Sequence, residues 1–272
     1  MADVQVDDLD LQLIELLSRD ARVSNRKVAS ELGVTEGTVR TPSAVAGLGI
    51  MLLTLLIGRV LFGGEQAITA AIVLLTTNFF MHQARYAELE ALLAVWTTAA
   101  VYCFWRGYRS SSRAAGWYAL MYIAMGCGVM TKGPFALTFP LIPIICFLCV
   151  YGEQRLLLQR RFLLPSLLLV LLVLPWPLAV MRQYPVFYKL VLWETVVRAA
   201  TGYVHREAWY YYLVQLPREL FPWLLFLPFA LVAALKQRDN TLRQRFVFML
   251  LWLFGNLVFM SLLKSKRDYY LF

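Results

Sequence analysis

Residues 43–62 read SAVAGLGIMLLTLLIGRVLF, a stretch in which Arg59 alone is charged. An α-helix rises about 1.5 Å per residue, so about twenty apolar residues match the roughly 30 Å hydrocarbon layer of a bilayer. Working outward, comparable runs follow at 66–82, 90–106, 114–130, 134–151, 163–179, 221–235 and 246–263. The expectation is an all-α fold, a polytopic transmembrane helix bundle of about eight spans. Composition agrees: 60% of the 272 residues are hydrophobic and 16% charged, against about a quarter charged in soluble domains.

The loops between the runs give the orientation. RGYRSSSR (106–113), EQRLLLQRR (153–161) and KQRDNTLRQR (236–245) are rich in Arg and Lys, which the positive-inside rule places in the cytoplasm. HQARYAELE (82–90), the TKG turn (131–133), the segment 181–220 and the terminal KSKRDYYLF (264–272) then face outward. Ionisable and aromatic clusters thus collect on one side, as an active face requires and scattered anchoring residues do not. No charged residue interrupts the span centres as a transport relay would need. Cys103, Cys127, Cys146 and Cys149 lie in apolar stretches without zinc-ligand spacing and read as buried small hydrophobes.

Residues 1–40 differ in kind. They hold 8 acids and 5 bases, net −3, whereas residues 41–272 hold 21 bases and 9 acids, net +12, for +9 overall. They also lack the apolar core of a cleavable signal peptide. DDLDLQLIELLSRDAR (7–22) spaces Leu9, Leu13, Leu16 and Leu17 as one helical face. Ser24 precedes a second helix carrying Val28, Ala29 and Leu32, Gly33 stops it, and Thr35 caps a third beginning EGTVR. This opening resembles the helix-turn-helix of the feast/famine (Lrp/AsnC) regulators, whose third helix reads the major groove. Here that helix is cut after Val39 and Arg40, before the family's further basic residues, so DNA is not an expected partner. Alternating topology also puts residues 1–40 outside the cell. A further preceding span, a re-entrant first span or a join of two genes would reconcile this, and the join is favoured. The expected division is 1–40, a truncated helix-turn-helix, and 41–272, a membrane domain.

From Arg40 onward, RTPSAVAGLG, ARYAELEALLAVW, GVMTKGP, PWPLAVMRQYPVFY, HREAWYYYLVQLP, LFPW and SKRDYYLF occur in an order that resembles the GT-C glycosyltransferases. The nearest groups are the lipid A aminoarabinose transferases and the protein O-mannosyltransferases of family 39. The resemblance implies transfer of a sugar, with inversion, from a polyprenyl-phosphate donor to a lipid or protein acceptor on the periplasmic or extracellular face of the inner (plasma) membrane. Such a site needs a carboxylate for the acceptor's proton, cations for the leaving phosphate and a groove at the bilayer edge.

Residue by residue, Arg85 and Glu90 occupy the family's arginine and aspartate positions, with glutamate substituted. Arg85 is expected on the donor phosphate; Glu90 assists a base or orients the acceptor, or else is a helix-start acid favoured by the dipole. Lys132 is expected on the phosphate, beside a turn into a helix N-terminus that favours anions, with a snorkelling interfacial lysine as the competing reading. His205 matches the histidine before the family's aromatic motif and is a catalytic candidate or an interfacial hydrogen-bonder. Trp209, Tyr210 and Tyr211 suit sugar stacking and the headgroup layer alike. Lys266 and Arg267 match the phosphate-binding motif or anchor the last span. A divalent cation is open, since some relatives clamp the phosphate with one while these cations can hold it themselves. The family's principal catalytic acid lies in a first outer loop, and its C-terminal part follows a later proline. Neither is expected here, so this length of chain is not expected to turn over alone. The rival reading is a membrane-anchored helix-turn-helix regulator with salt-sensitive DNA binding.

Overall fold

The computed structural model describes residues 30, 33, 35–83, 89–184, 207–264 and 266, all in helices, turns and connecting loops. The first two expected N-terminal helices lie outside these residues apart from Ser30 and Gly33. Helix α1 is Glu36–Leu61, starting where the cap was expected. The Thr35 hydroxyl accepts from the Thr38 N–H at 3.2 Å, filling one of the orphan donors of the first turn. The helix passes through the expected 40/41 division without a break, tolerating Pro42 near its start.

Helix α2 (Gly64–Thr76) folds back along α1 through Phe62 and Gly63, both of whose N–H groups donate to the Gly58 carbonyl at 2.7 and 3.2 Å. A Cβ on Gly58 would lie 2.7 Å from the Ala67 Cα, so only glycine permits this backbone approach. Gly58→Ala is therefore expected to push α1 and α2 apart and cost about 1–3 kcal/mol, read as a fall in thermal unfolding temperature in detergent. Gly116→Ala, which meets nothing within 4 Å, is the control, and equal behaviour of the two would sink the prediction.

Short α3 (Asn78–Gln83) follows Thr77, whose extended backbone ends α2. Helices α4 (Leu89–Arg109) and α5 (Ala114–Lys132) form an antiparallel pair, and α6 (Phe135–Val150) returns beside them. A 3-10 turn (Gln154–Leu158) leads to α7 (Arg160–Leu163), α8 (Ser166–Val173) and α9 (Pro175–Gln183). After residue 206 come α10 (Tyr211–Glu219), a 3-10 turn (Trp223–Phe226), α11 (Leu227–Lys236) and α12 (Asn240–Leu262). The Asp239 carboxylate caps α12, accepting from the Thr241 N–H at 2.7 Å.

The core sits between α4, α5, α6 and α12. Phe248 of α12 is fully buried, its ring centroid 4.9 Å from Trp105, 5.9 Å from Phe104 and 5.4 Å from Phe147. These tilted, stacked and edge-on contacts hold the ring from three sides. Outward, leucines, isoleucines and valines stand exposed along α1, α2 and α8, as a bilayer requires and water would not tolerate in such numbers.

Where eight spans were expected, four stretches of the described residues are long and apolar enough to cross: Arg40–Leu61, Ala114–Lys132, Arg160–Gln183 and Asn240–Leu262. A fifth exists if α10 and the Trp223–Lys236 stretch, bent by 104° at their join, count as one broken span. The difference is physical. Helix α2 has 13 residues and α6 has 16, which reach only about 20 and 24 Å, whereas α4, at 21 residues, is long enough but less apolar. The cysteines also depart in part from expectation: Cys103 is buried, Cys127 and Cys146 are half-buried and Cys149 is exposed on α6, all of them free thiols.

Candidate active site at the Glu90 and Lys132 end

Helices α4 and α5 are joined by a four-residue link in which the Ser110 hydroxyl accepts from the Arg113 N–H at 3.1 Å. The start of one must therefore meet the end of the other. Glu90 is in the first turn of α4 and Lys132 is the last residue of α5. Each sits at the helix terminus whose dipole favours its charge. Their side chains, 12% and 25% exposed, form an ion pair between the Glu90 Oε1 and the Lys132 Nζ. Gly133, at φ +85°, lets the chain reverse immediately after Lys132.

This pair stands on the wall of a cavity of about 340 Å³. Thr97 and Thr98 of α4, Glu219 of α10 and Asn256 of α12 add polar groups, while Leu93, Phe139, Trp252 and Met260 are among the residues making the rest apolar. The cavity thus joins one ion pair to a greasy trough between helices, a combination suited to an anionic head on a hydrocarbon tail.

Asn256 has a local cause. Pro143 inside α6 has no N–H to give the carbonyl four residues back. That carbonyl belongs to Phe139, and the Asn256 Nδ2 donates to it at 3.0 Å and to the Trp252 carbonyl at 3.0 Å. The two acceptors fix the amide's orientation and leave Oδ1 buried with no hydrogen-bond partner among the described residues. Across the cavity, the bend after α10 carries Leu216, Glu219 and Leu220 into the wall. The Trp223 Nε1 ties this bend to α2, donating to the Thr76 hydroxyl at 3.0 Å.

The other expected site residues distribute as follows. Lys266 is buried, and its ammonium donates to the carbonyls of Leu263 and Glu207, the latter at 3.3 Å. Burial lowers its pKa, partly offset by the Glu207 charge. It does not line the cavity. Trp209 and Tyr210 are 68% and 52% exposed and stack edge to face at 5.8 Å. Tyr211 is half-buried against the cluster of Tyr212, Leu257 and Met260. None of these aromatics lines the cavity either. Arg85, His205 and Arg267 lie outside the described residues. Sequence reasoning missed Glu219, Asn256 and the two threonines; a proline four residues after a core carbonyl, with an asparagine in an otherwise apolar span, was the signal for Asn256. Among the described residues no three His, Cys, Asp or Glu side chains lie together as metal ligands.

Comparison with known proteins follows the same lines. The sequence signature described as dolichyl-phosphate-mannose-protein mannosyltransferase matches residues 24–191, and that of the AsnC-type helix-turn-helix domain matches residues 6–41. The undecaprenyl phosphate-alpha-4-amino-4-deoxy-L-arabinose arabinosyl transferase of Pseudomonas savastanoi pv. phaseolicola is 31% identical over 239 residues, 86% of this chain and 44% of the relative. A second such transferase, from Proteus mirabilis, is 31% identical over 245 residues, 88% of this chain and 44% of the relative. The crystal structure of ArnT from Cupriavidus metallidurans bound to undecaprenyl phosphate superposes with a TM-score of 0.78 at 21% identity, covering 89% of this chain and 44% of that one. The fold is therefore shared, and the chain spans under half the length of these relatives.

Proposed function

The chain belongs to the family described as dolichyl-phosphate-mannose-protein mannosyltransferases, and from that premise we propose that it is the membrane part of a glycosyltransferase drawing its sugar from a polyprenyl-phosphate donor. The observation that carries this reading is the Glu90–Lys132 pair set into an otherwise largely apolar cavity at the end of the bundle away from the basic loops. The polytopic chain sits in the inner membrane with this end on the periplasmic side, the orientation its basic loops favour. The whole enzyme uses Arg85, Lys266 and Arg267 as further phosphate ligands, His205 beside the reacting centre, and Trp209, Tyr210 and Tyr211 against the sugar.

The chemistry follows from charge. A carrier phosphate entering the cavity competes with Glu90 for the Lys132 ammonium, and a phosphate is the stronger acceptor because it bears more charge over more oxygens. Released from its partner, the Glu90 carboxylate is free to take the acceptor's proton. The acceptor oxygen attacks the anomeric carbon from the face opposite the leaving group. The bond to the carrier phosphate breaks with its electron pair on the phosphate oxygen, where Lys132 holds the added charge. The lipid or protein acceptor leaves glycosylated, with its anomeric configuration inverted.

The test is binding of undecaprenyl phosphate to the purified 272-residue chain in nanodiscs, measured with and without Lys132→Ala. Saturable binding that the substitution weakens supports the reading; binding of equal strength in both proteins removes Lys132 from it.

The match at residues 6–41 favours a second reading, a membrane-tethered DNA-binding regulator. It meets a steric objection. The helix that would read the major groove begins at Glu36 and runs on into the apolar stretch starting near Arg40, leaving about one turn outside the bilayer. Operator binding that weakens steeply with salt, together with an amino terminus shielded from external reagent in intact cells, is the result that would restore it.

A further inference from the structure

At the opposite end of the bundle lies a second cavity, of about 580 Å³. Arg109, which ends α4, lines it, whereas Glu90 is in the first turn of that helix, so the two cavities are about 28 Å apart by helical rise. Three arginines reach it from three elements: Arg109 from α4, Arg155 from the 3-10 turn and Arg161 from α7. Glu153 is the one carboxylate in the lining, which therefore carries a formal +2.

The loop that holds these groups is well braced. The Tyr108 hydroxyl donates to the Glu153 Oε1 at 3.0 Å, and the Glu153 N–H donates to the Leu148 carbonyl at 2.8 Å. The Arg161 Nε donates to the Gln159 Oε1 at 2.7 Å, which leaves its two terminal nitrogens for another acceptor. Among the described residues none of Arg109, Arg155 and Arg161 forms an ion pair. Loop arginines that only fix topology need no shared cavity; these converge on one.

Beside the arginines the surface turns abruptly apolar. Leu158 is 79% exposed, and Leu163, Leu164 and Leu167 are also exposed. They lead onto the stretch Arg160–Gln183, whose apolar window has no buried residue. Guanidinium forks match phosphate oxygens bidentately, and a leaflet rich in anionic lipid attracts basic groups at its surface. We propose that this cavity binds the phosphodiester of an anionic phospholipid, with Arg109, Arg155 and Arg161 on the phosphate and the exposed leucines along the acyl chains. This site is independent of the transfer reading, since it shares no residue with the other cavity.

The test is native mass spectrometry of the full chain in a neutral detergent, comparing adducts of dioleoyl phosphatidylglycerol and dioleoyl phosphatidylcholine. The phosphatidylglycerol adduct is expected to be favoured by about fivefold or more. The double variant Arg155→Gln and Arg161→Gln should bring the ratio close to one. Lys236→Gln with Arg238→Gln, basic residues outside the cavity, should leave it unchanged. If the double variant does not fold, Arg161→Lys, which keeps the charge and loses the fork, should lower the preference by itself. Equal retention of the two lipids, or an undiminished preference in the folded arginine variants, overturns the proposal. Displacement of the phosphatidylglycerol by millimolar inorganic phosphate also overturns it, assigning the arginines to a free anion.

Discussion

Replacing Lys132 by alanine weakens binding of undecaprenyl phosphate by about tenfold or more. A charge-assisted hydrogen bond contributes about 1.5–3 kcal/mol, and 1.4 kcal/mol is a factor of ten. The substitution also strands the Glu90 carboxylate, which is 12% exposed and paired with Lys132. Stranding a buried charge destabilises on its own account, so affinity and unfolding must be measured on the same protein. Glu90→Gln separates the roles. The amide still accepts from Lys132, so the fold and the binding of carrier lipid survive, while transfer by an enzyme carrying the same pair drops by about 10²- to 10⁴-fold with its general base removed. A Glu90→Gln variant that transfers normally would make the pair purely structural. Lys132→Met combined with Glu90→Gln, neutral and of similar volume, should recover much of the stability lost in Lys132→Ala without recovering affinity.

Asn256→Leu lowers stability by about 1–3 kcal/mol, the cost of a buried carbonyl left without a donor. The carbonyl is that of Phe139, opened by Pro143 and closed by the Asn256 Nδ2. The cause can be isolated because Pro143→Ala returns an N–H to α6 at the position from which it can reach Phe139. In the double variant the loss at residue 256 should shrink to the packing change alone, a non-additivity that only a shared hydrogen bond explains. Strictly additive effects in thermal unfolding would mean that Asn256 matters for another reason. Asn256→Asp should be worse than leucine, since it removes both donors and places a carboxylate against two carbonyl oxygens.

These two predictions mark what the sequence discloses and where it stops. Glu90 and Lys132 were each legible as residues at the ends of apolar runs, and the basic loops correctly put them at one end of the bundle. Their pairing was also implicit, since a four-residue link between two helices forces antiparallel neighbours, but periodicity alone does not report which faces meet. The same limit hid Glu219. It lies on a short helix whose approach to the cavity depends on a 104° bend, and a bend is a property of tertiary contacts such as the one from Trp223 to Thr76. Lys266 illustrates the converse. Its place just after the last span was read correctly, yet its ammonium is occupied by two backbone carbonyls, a local competition that charge counting does not register. The eight expected spans are not matched one for one among the described residues because hydropathy windows pass over breaks: Thr77 ends α2, and the largely apolar stretch 66–82 falls into two helices, neither long enough to cross alone.

The stretch Arg160–Gln183 touches the described bundle chiefly along α5, where Leu169 and Leu172 close on Gly126 and a Cβ on that glycine would lie 2.7 Å from the Leu172 Cδ2. No residue of its apolar window is buried, and at its amino-terminal end Phe162 anchors it, buried against Tyr118 and Tyr122 with ring centroids 4.8 and 5.7 Å away. Its tilt is thus governed by bilayer thickness, which acts on a long apolar helix through hydrophobic mismatch. A thicker membrane is expected to stand the part beyond Leu172 more upright and a thinner one to lean it over. Lipid composition thereby becomes a mechanical input to the carboxy-terminal part of this stretch, while Phe162 holds its amino-terminal end beside the braced arginine loop.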